Sequence, residues 1–300
     1  MAALLRLAFL LLVLLPCTLC GFCDDDSFDM VFRDEFDGAS LNTSAWTAVV
    51  APAQPATMHC NGTGCIRLGA CRDASCVASN AYLHEGKLVL RSQALGEASW
   101  TTGAVSTWGK ASWKPSDGTF RVCVSARLPG AGIGRSQGLW PAHWLMPMDG
   151  TCDPDEGEMD ILEMVNGNGL YEATYHWQTT FPKSNCSYPT GHYQQHTAAP
   201  LPSWDSAQNE FAVERGLDHV AFVLNGRVMI NITRNTTPAP VFWDVPFYLI
   251  LNTAVGGGWP GKPNASTLFP ALHEIGYVRV AQRSVSSQSA ESRVVNHADR

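Results

Sequence analysis

The chain has 300 residues, of which 20 are Lys or Arg and 27 are Asp or Glu, so its formal net charge at pH 7 is −7. A net negative charge disfavours nucleic acid and anionic membrane surfaces as partners and is compatible with a neutral substrate. Hydrophobic residues make up 45% of the chain, which is enough for a large core in a single all-β domain of this length.

Residues 1–20 have the pattern of a secretory signal peptide. Arg6 is their only charged residue, an apolar run extends from Leu7 to Pro16, and Thr18-Leu19-Cys20 offers a cleavage site. The run is short for a membrane span, and no other apolar run reaches the ~18 residues that a span needs. We therefore predict a secreted, extracellular protein without a membrane partner. Removal of the segment leaves a net charge of 19 − 27 = −8.

Eight cysteines follow residue 20, and four of them crowd the stretch from Cys60 to Cys76. An even number in an exported chain predicts up to four disulfide bonds, whose pairing the spacing does not determine. Zinc is the competing interpretation of the cluster, but its four, five and four intervening residues do not match paired C-x₂-C ligands. The eight positions are Cys23, Cys60, Cys65, Cys71, Cys76, Cys123, Cys152 and Cys186.

Six Asn-x-Ser/Thr triplets without proline support export independently, because each is an acceptor for N-glycosylation on an exposed surface. They begin at Asn42, Asn61, Asn185, Asn231, Asn235 and Asn264.

Short strand-like runs recur along the chain with turn residues between them, whereas long amphipathic helices are missing. Asn225-Gly226 lies between two such runs and is a strong signal for a β-hairpin. The sequence therefore predicts an antiparallel β-sandwich of the jelly-roll kind over residues 21–283, followed by a polar, disordered tail over 284–300. The predicted strands are Leu88–Leu90, Phe120–Ala126, Tyr171–Trp177, Val220–Leu224, Val228–Ile232, Phe247–Leu251 and Tyr277–Val280.

Two tryptophans flank a small residue shortly before the most acidic strand. If this stretch is extended, Trp140, Ala142 and Trp144 share one face. Such a pair forms a flat wall against which pyranose rings can stack. A core position is the alternative for either tryptophan alone, because tryptophan is usually mostly buried. For the pair we favour a substrate-binding cleft.

Three carboxylates, Glu158, Asp160 and Glu163, lie within an otherwise apolar run. Glu158 and Asp160 are two positions apart and share a strand face, whereas Glu163 has the opposite parity and would point into the core. An unpaired buried carboxylate is unfavourable. One extra residue at Ile161-Leu162, a β-bulge, turns Glu163 to the face of the other two, and bulges recur beside active sites.

The bulged spacing indicates a particular chemistry. The two glutamates lie about 13 Å apart along the strand, at roughly 3.3 Å per position. By leaning together their carboxyls can reach the ~5–5.5 Å separation of retaining glycosidases. Close like charges move pKa values apart, so that one group stays protonated as an acid while another stays ionised as a nucleophile.

Two other interpretations of this segment compete with catalysis. A similar acidic pattern arises by chance in many loops. A calcium loop is the second alternative, because Asp153-Pro154-Asp155-Glu156-Gly157 precedes the motif. Pro154 is unfavourable in such a loop, and Gly157 comes one position too early for an EF-hand.

Two further positions are candidate substrate contacts. The alternation from Tyr171 to Gln178 places His176 on a polar face. If that strand neighbours the carboxylates, His176 can reach a substrate hydroxyl or one of the acids, although a structural histidine is an equal alternative. Gly256–Gly261 is a tight glycine-rich loop that presents Trp259, which either lines the cleft or belongs to a simple loop closure. No nucleophilic triad signature, HExxH or phosphate-loop pattern occurs.

Together these stretches resemble glycoside hydrolase family 16, in its laminarinase-type branch. The resemblance implies a β-jelly roll with a concave cleft and a retaining mechanism, in which Glu158 is the nucleophile, Glu163 the acid/base and Asp160 assists. The bulged spacing resembles members that act on β-1,3-glucans. The resemblance covers roughly residues 30–282, and its matching pieces are Phe32–Gly38 with Trp46, Gly86–Leu88, Gly138–Trp144, Glu158–Glu163, Asn252–Gly257 with Trp259–Gly261, and Gly276–Val280.

The chain departs from the family at two places. Members often carry an aspartate before the Tyr-Val-Arg-Val strand, where it helps to bind a structural calcium ion; this chain has Gly276 there, although Glu35 matches another ligand position. The insert from Cys60 to Cys76 is also unusual. We predict no cofactor and assign no metal ligand, and the departure at Gly276 leaves open whether a structural calcium ion is bound.

We expect a monomeric endo-β-1,3-glucanase whose partner is a polysaccharide. The open alternatives are a relative that acts on mixed-linkage glucan or galactan, and a non-catalytic β-glucan-binding protein, which would usually lack the glutamates.

Overall fold

The computed structural model describes residues 21–53, 70–148, 157–178 and 192–283. These residues form seventeen β-strands and two short 3-10 turns, at Ala78–Asn80 and Pro115–Asp117. In chain order the strands are β1 (Asp29–Asp34), β2 (Thr47–Ala48), β3 (Ser75–Cys76), β4 (Ala81–His84), β5 (Lys87–Gly96), β6 (Ser99–Thr102), β7 (Ala104–Ser106), β8 (Phe120–Arg127), β9 (Leu139–Pro147), β10 (Glu158–Glu163), β11 (Leu170–Gln178), β12 (His192–Pro200), β13 (Asn209–Arg215), β14 (His219–Leu224), β15 (Arg227–Thr233), β16 (Phe247–Val255) and β17 (Ala271–Gln282).

The strands form two sheets. The front sheet has the order β12-β11-β10-β9-β16-β7-β2. The back sheet has the order β15-β14-β13-β8-β17-β5-β6-β3, with β1 also paired to β17 and β4 to β5. Pairing is antiparallel throughout except between β3 and β6. The predicted antiparallel β-sandwich is therefore confirmed, and each of the seven predicted strands is present.

The β14–β15 hairpin turns where the sequence predicted it. Asn225 and Gly226 connect the two strands with φ angles of 49° and 75°. Two-residue turns of this type require positive φ at both central positions, and asparagine and glycine tolerate this conformation best.

Alternation of side chains builds the core between the sheets. In β8, Phe120, Val122, Val124 and Ala126 are completely buried and point toward the front sheet. Burial of a Phe or Val side chain contributes about 1.5–3 kcal/mol. Central strand β16 is buried along its whole length, because a second apolar cluster covers part of its other face. That cluster consists of Val49, Ala51, Ala70, Cys71, Cys76, Ala104, Met146, Tyr248 and Ile250.

Two disulfide bonds lie within the described residues. Cys23–Cys123 joins the segment before β1 to the back sheet, and Cys71–Cys76 closes a short loop against β16. Both confirm the predicted use of cysteines in disulfides. The other four cysteines lie outside the described residues, at Cys60, Cys65, Cys152 and Cys186.

Other sequence predictions fall partly or wholly outside the described residues. The signal segment 1–20 and the tail 284–300 are among these, as are the sequons at Asn61 and Asn185. In the part of the chain that the structure describes, no helix is long and apolar enough to cross a membrane. The remaining sequons are exposed, at Asn42, Asn231, Asn235 and Asn264.

A histidine pair joins the sheets at the centre of the core. His143 on β9 and His273 on β17 are completely buried, with their Nε2 atoms 3.0 Å apart. Nδ1 of His273 also lies 3.2 Å from the Thr253 hydroxyl. Burial lowers the pKa of both imidazoles, that of His273 to about 3. Both rings are therefore neutral in the folded protein at neutral pH.

These histidines should make stability depend on pH. The unfolded chain protonates both rings below about pH 6.5, whereas the folded protein does not, so acidification favours unfolding. As the pH falls from 6.5 to 5, the slope of the free energy of unfolding should increase from about 0.7 toward about 1.4 kcal/mol per pH unit for each histidine. Urea titrations of wild type and of His143→Gln should show a shallower pH slope in the variant. His84→Gln, at an exposed position, is the control, and equal slopes in wild type and His143→Gln would refute this account.

Candidate active site

Strand β10 contains the predicted β-bulge. Opposite β9, Asp160 pairs with Trp144 and Leu162 pairs with His143, so one residue of β10 is extra. Opposite β11, the interval from Asp160 to Glu163 likewise spans three residues against two, from Thr174 to Glu172. The expected bulge at Ile161-Leu162 is therefore confirmed by both neighbouring strands.

The bulge follows from the distribution of apolar side chains in β10 and directly after it. Met159, Ile161, Leu162 and Met164 are all completely buried in the core between the sheets. In a regular strand Ile161 and Leu162 would point to opposite faces. With the bulge both are buried, and Glu163 returns to the open face of the front sheet.

The three carboxylates consequently share that open face, which we call the cleft face. Glu158 and Glu163 are partly buried, whereas Asp160 is only 4% exposed. Counting the bulge as one position, the two glutamates lie about 13 Å apart along the strand, at roughly 3.3 Å per position. The shared face is compatible with the catalytic roles predicted for the three carboxylates, and those roles remain predictions.

His176 contacts the central carboxylate. Its Nε2 lies 2.9 Å from Oδ2 of Asp160, and its Nδ1 lies 2.8 Å from Nε2 of His192. The two imidazole rings are stacked, with centroids 5.0 Å apart. Of the two contacts that the sequence allowed for His176, the structure shows the one with an acid. The contact is a hydrogen bond in which the N–H of His176 donates to the carboxylate oxygen of Asp160.

Glu163 has the electrostatic environment of a proton donor. Burial raises its pKa well above the usual range, and the nearby charges of Asp160 and Glu172 add to this effect. The indole Nε1–H of Trp140 donates to Glu163 at 3.0 Å. That hydrogen bond and the charge of Arg72 lower the pKa and oppose the larger raising effects. A carboxyl with a raised pKa can remain protonated at a pH where an ordinary glutamate is ionised.

The predicted aromatic residues lie on the cleft face. Trp140 is partly exposed, and the centroid of its ring lies 5.2 Å from that of Trp259 in an edge-on arrangement. Trp259 is 48% exposed. Trp144 is directly opposite Asp160 and donates its Nε1–H to Oδ1 of Asn252 at 2.8 Å. The structure thus places Trp140, Trp144 and Trp259 at the cleft, and their contact with a sugar stays a prediction.

Sequence reasoning missed other residues of this site. Arg72 and Asn252 contact its tryptophans, and His192 extends the contact between Asp160 and His176. Asn252 had a usable signal, because it is a polar residue within the apolar strand β16. Arg72 had no usable sequence signal, because its position depends on a disulfide pairing that the spacing of the cysteines does not determine.

The described residues do not fit the calcium site that the resemblance implies. The carboxylate of Glu35 is held by Arg279, with contacts of 2.8 and 3.1 Å, and by Arg33 at 2.8 Å. Gly276 brings no oxygen ligand from a side chain, and calcium binds through several oxygen ligands. Among the described residues, no group of three or more His, Cys, Asp or Glu could hold a metal ion.

Several known proteins are similar to this chain in sequence or in fold. No family model matches the chain. A glucan endo-1,3-beta-glucosidase A1 of Niallia circulans is 29% identical over 280 residues, which are 84% of this chain but only 37% of that protein. A beta-glucanase of Rhodothermus marinus is 29% identical over 92% of this chain and 93% of its own length. The X-ray structure of the laminarinase from Rhodothermus marinus matches with a TM-score of 0.64 at 26% identity, over 85% of this chain and 97% of that one.

The chain is similar in sequence and fold to laminarinase-type glucanases. These relatives and the confirmed sandwich agree with the laminarinase-type resemblance of the sequence. In this chain the bulged strand β10 lies between β9 with its tryptophans and β11 with His176.

Two substitutions should move the pKa of Glu163 in opposite directions. Asp160→Asn removes a negative charge that raises this pKa, so the pKa should fall. Trp140→Phe removes a hydrogen bond that favours the carboxylate, so the pKa should rise. NMR titration of ¹³C-labelled glutamate carboxyls, assigned with Glu163→Gln, measures both shifts. Asp37→Asn, at an exposed position, is the control, and shifts of the same sign in the two test variants would contradict this electrostatic account.

Proposed function

We propose that this protein is a secreted, retaining endo-glycosidase of glycoside hydrolase family 16 that hydrolyses internal β-1,3 linkages of β-glucans. The observation that carries the proposal is the bulge at Ile161-Leu162. It gathers Glu158, Asp160 and Glu163 on one face, in the spacing that resembles family members acting on β-1,3-glucans.

The proposed reaction proceeds in two displacements. In the first, Glu158 attacks the anomeric carbon and forms a covalent glycosyl ester. Glu163 gives its proton to the leaving glycosidic oxygen as that bond breaks. In the second, the Glu163 carboxylate takes a proton from water, whose oxygen displaces Glu158. Two inversions leave the anomeric configuration unchanged.

Asp160 assists both glutamates in this scheme. Its Oδ2 lies 2.9 Å from Nε2 of His176. The nearby charge of Asp160 raises the pKa of Glu163, which keeps the acid protonated for the first step. Asp160 also lies between the two glutamates along β10, where it can orient Glu158.

The cleft face supports a neutral polysaccharide as substrate. Trp140 and Trp259 offer apolar ring surface against which pyranose rings can stack, and Trp259 is 48% exposed. The two sequence relatives carry names of enzymes acting on β-glucans. Secretion is supported by the pattern of residues 1–20 and by two disulfides, which persist in oxidising compartments.

The purified protein should release reducing ends from laminarin faster than from lichenan, agarose or xyloglucan. A Glu158→Ala variant with unchanged melting temperature is the matched control and should be nearly inactive. Preferential cleavage of lichenan or agarose would instead favour a mixed-linkage glucanase or a galactanase. Binding of laminarin without any cleavage would indicate the non-catalytic β-glucan-binding alternative.

Azide rescue should separate the roles of the two glutamates. With Glu158→Ala and an activated aryl β-glucoside oligomer, azide should restore turnover and give the inverted α-glycosyl azide. Glu163→Ala should retain more activity on that substrate, because a good leaving group needs no proton, and azide should give the β-glycosyl azide. NMR of the products distinguishes the two, and an exchange of the two outcomes would reverse the assignment.

A further inference from the structure

We propose that Arg72 is a substrate-binding residue of the cleft. Its guanidinium, held over Trp140 by the Cys71–Cys76 loop, donates hydrogen bonds to hydroxyl oxygens of the glucosyl unit beside Glu163. This inference rests on the proposed glucanase function and adds a residue that lies in the unusual cysteine-rich insert.

The loop that carries Arg72 is built into the front sheet. We call residues 70–76 the stapled loop. Backbone hydrogen bonds join its Asp73 N–H to the Val255 carbonyl at 3.0 Å and the Val255 N–H to the Cys71 carbonyl at 3.4 Å. The Asp73 carboxylate also accepts the Gly257 N–H at 3.1 Å. The loop is therefore fixed to the end of β16, next to the turn that leads to Trp259.

The stapled loop is also tied to the floor of the cleft. Asn252 on β16 donates its Nδ2–H to the Ala70 carbonyl at 2.7 Å. The same amide accepts the indole N–H of Trp144 at 2.8 Å. One side chain thus links the loop to the tryptophan that lies opposite Asp160.

The disulfide and the backbone fix the direction of Arg72. Cys71 and Cys76 are bonded and buried on either side of it. Arg72 itself has φ of 54°, a left-handed conformation that is unusual for a residue with a side chain. Because its neighbours are anchored, this conformation aims the side chain at the cleft instead of letting it relax toward solvent.

The indole ring of Trp140 lies between the guanidinium of Arg72 and the carboxyl group of Glu163. The Cζ atom of Arg72 is 5.1 Å from the centroid of the Trp140 ring, and the same indole donates to Glu163. Gly257 lies beside the aliphatic part of Arg72, where a Cβ atom would be in ordinary van der Waals contact at 3.4–3.6 Å. Arg72 and Trp140 therefore form a continuous surface beside Glu163.

Arg72 forms no ion pair with a residue in the described part of the chain. No described carboxylate lies within 4.0 Å of its guanidinium, although the side chain is only partly exposed. An arginine side chain has five N–H donors in a planar fork and no acceptor. Sugar hydroxyl oxygens, which would lie close by when a pyranose stacks on Trp140, are acceptors of the right kind.

The test compares Arg72→Ala and Arg72→Lys with wild type on laminarin. Arg227→Ala is the matched control, because Arg227 is exposed on β15 of the back sheet. A charge-assisted hydrogen bond is worth enough that its loss should raise KM roughly tenfold in Arg72→Ala, with kcat changed much less. Lysine should restore part of the loss, since it can donate but cannot form the planar fork.

A second readout separates substrate binding from a structural role. The charge of Arg72 opposes the raised pKa of Glu163, so Arg72→Ala should move the basic limb of the kcat/KM profile to higher pH. Unchanged KM and an unchanged pH profile would overturn the proposal, whether or not the melting temperature falls.

Failure of the glucanase function can be distinguished from failure of this inference. Binding of laminarin oligosaccharides to Glu158→Ala, with and without Arg72→Ala, is measured by calorimetry and needs no turnover. A roughly tenfold weaker Kd in the double variant supports the role of Arg72 even if wild type cleaves no glucan. Equal Kd values in the two variants refute it.

Discussion

The extra residue at Ile161-Leu162 is the constraint on which the site depends. Strand β10 has to bury three apolar side chains in the core, with Met164 directly after it, and still present three carboxylates to the cleft face. A regular strand cannot do both, because its side chains alternate strictly. The bulge resolves this conflict, and its position between β9 and β11 also brings Trp140 and His176 to the carboxylates.

Opposing interactions around Glu163 set its proton affinity. Burial and the charges of Asp160 and Glu172 favour the protonated acid, whereas the Trp140 indole and the Arg72 guanidinium favour the carboxylate. In the proposed two-step mechanism the same group must first give and then take a proton, and the raised pKa of Glu163 favours the protonated form that the first step needs. The front sheet supplies the raising interactions from β10 and β11, and the opposing ones come from β9 and the stapled loop.

Local patterns predicted the parts of the site that depend on parity. The conflict between Glu163 and its apolar neighbours is visible in the sequence, and so is the shared face of Trp140 and Trp144. Contacts between distant segments were not predictable in this way. His176 reaches Asp160 only because β11 pairs with β10 in a particular register. Arg72 reaches Trp140 only because Cys71 pairs with Cys76 and the loop docks on β16, and the cysteine spacing allows other pairings.

The stereochemistry of hydrolysis tests the central claim most directly, because it depends on the separation of the two glutamates. Carboxyls about 5–5.5 Å apart leave no room for a water molecule and require a covalent intermediate, whereas ~6.5–9.5 Å admits water and inverts the centre. Proton NMR of wild-type enzyme acting on laminarin, recorded before mutarotation, identifies the first anomer released. The account predicts the β-anomer, and an α-anomer as the first product would contradict it.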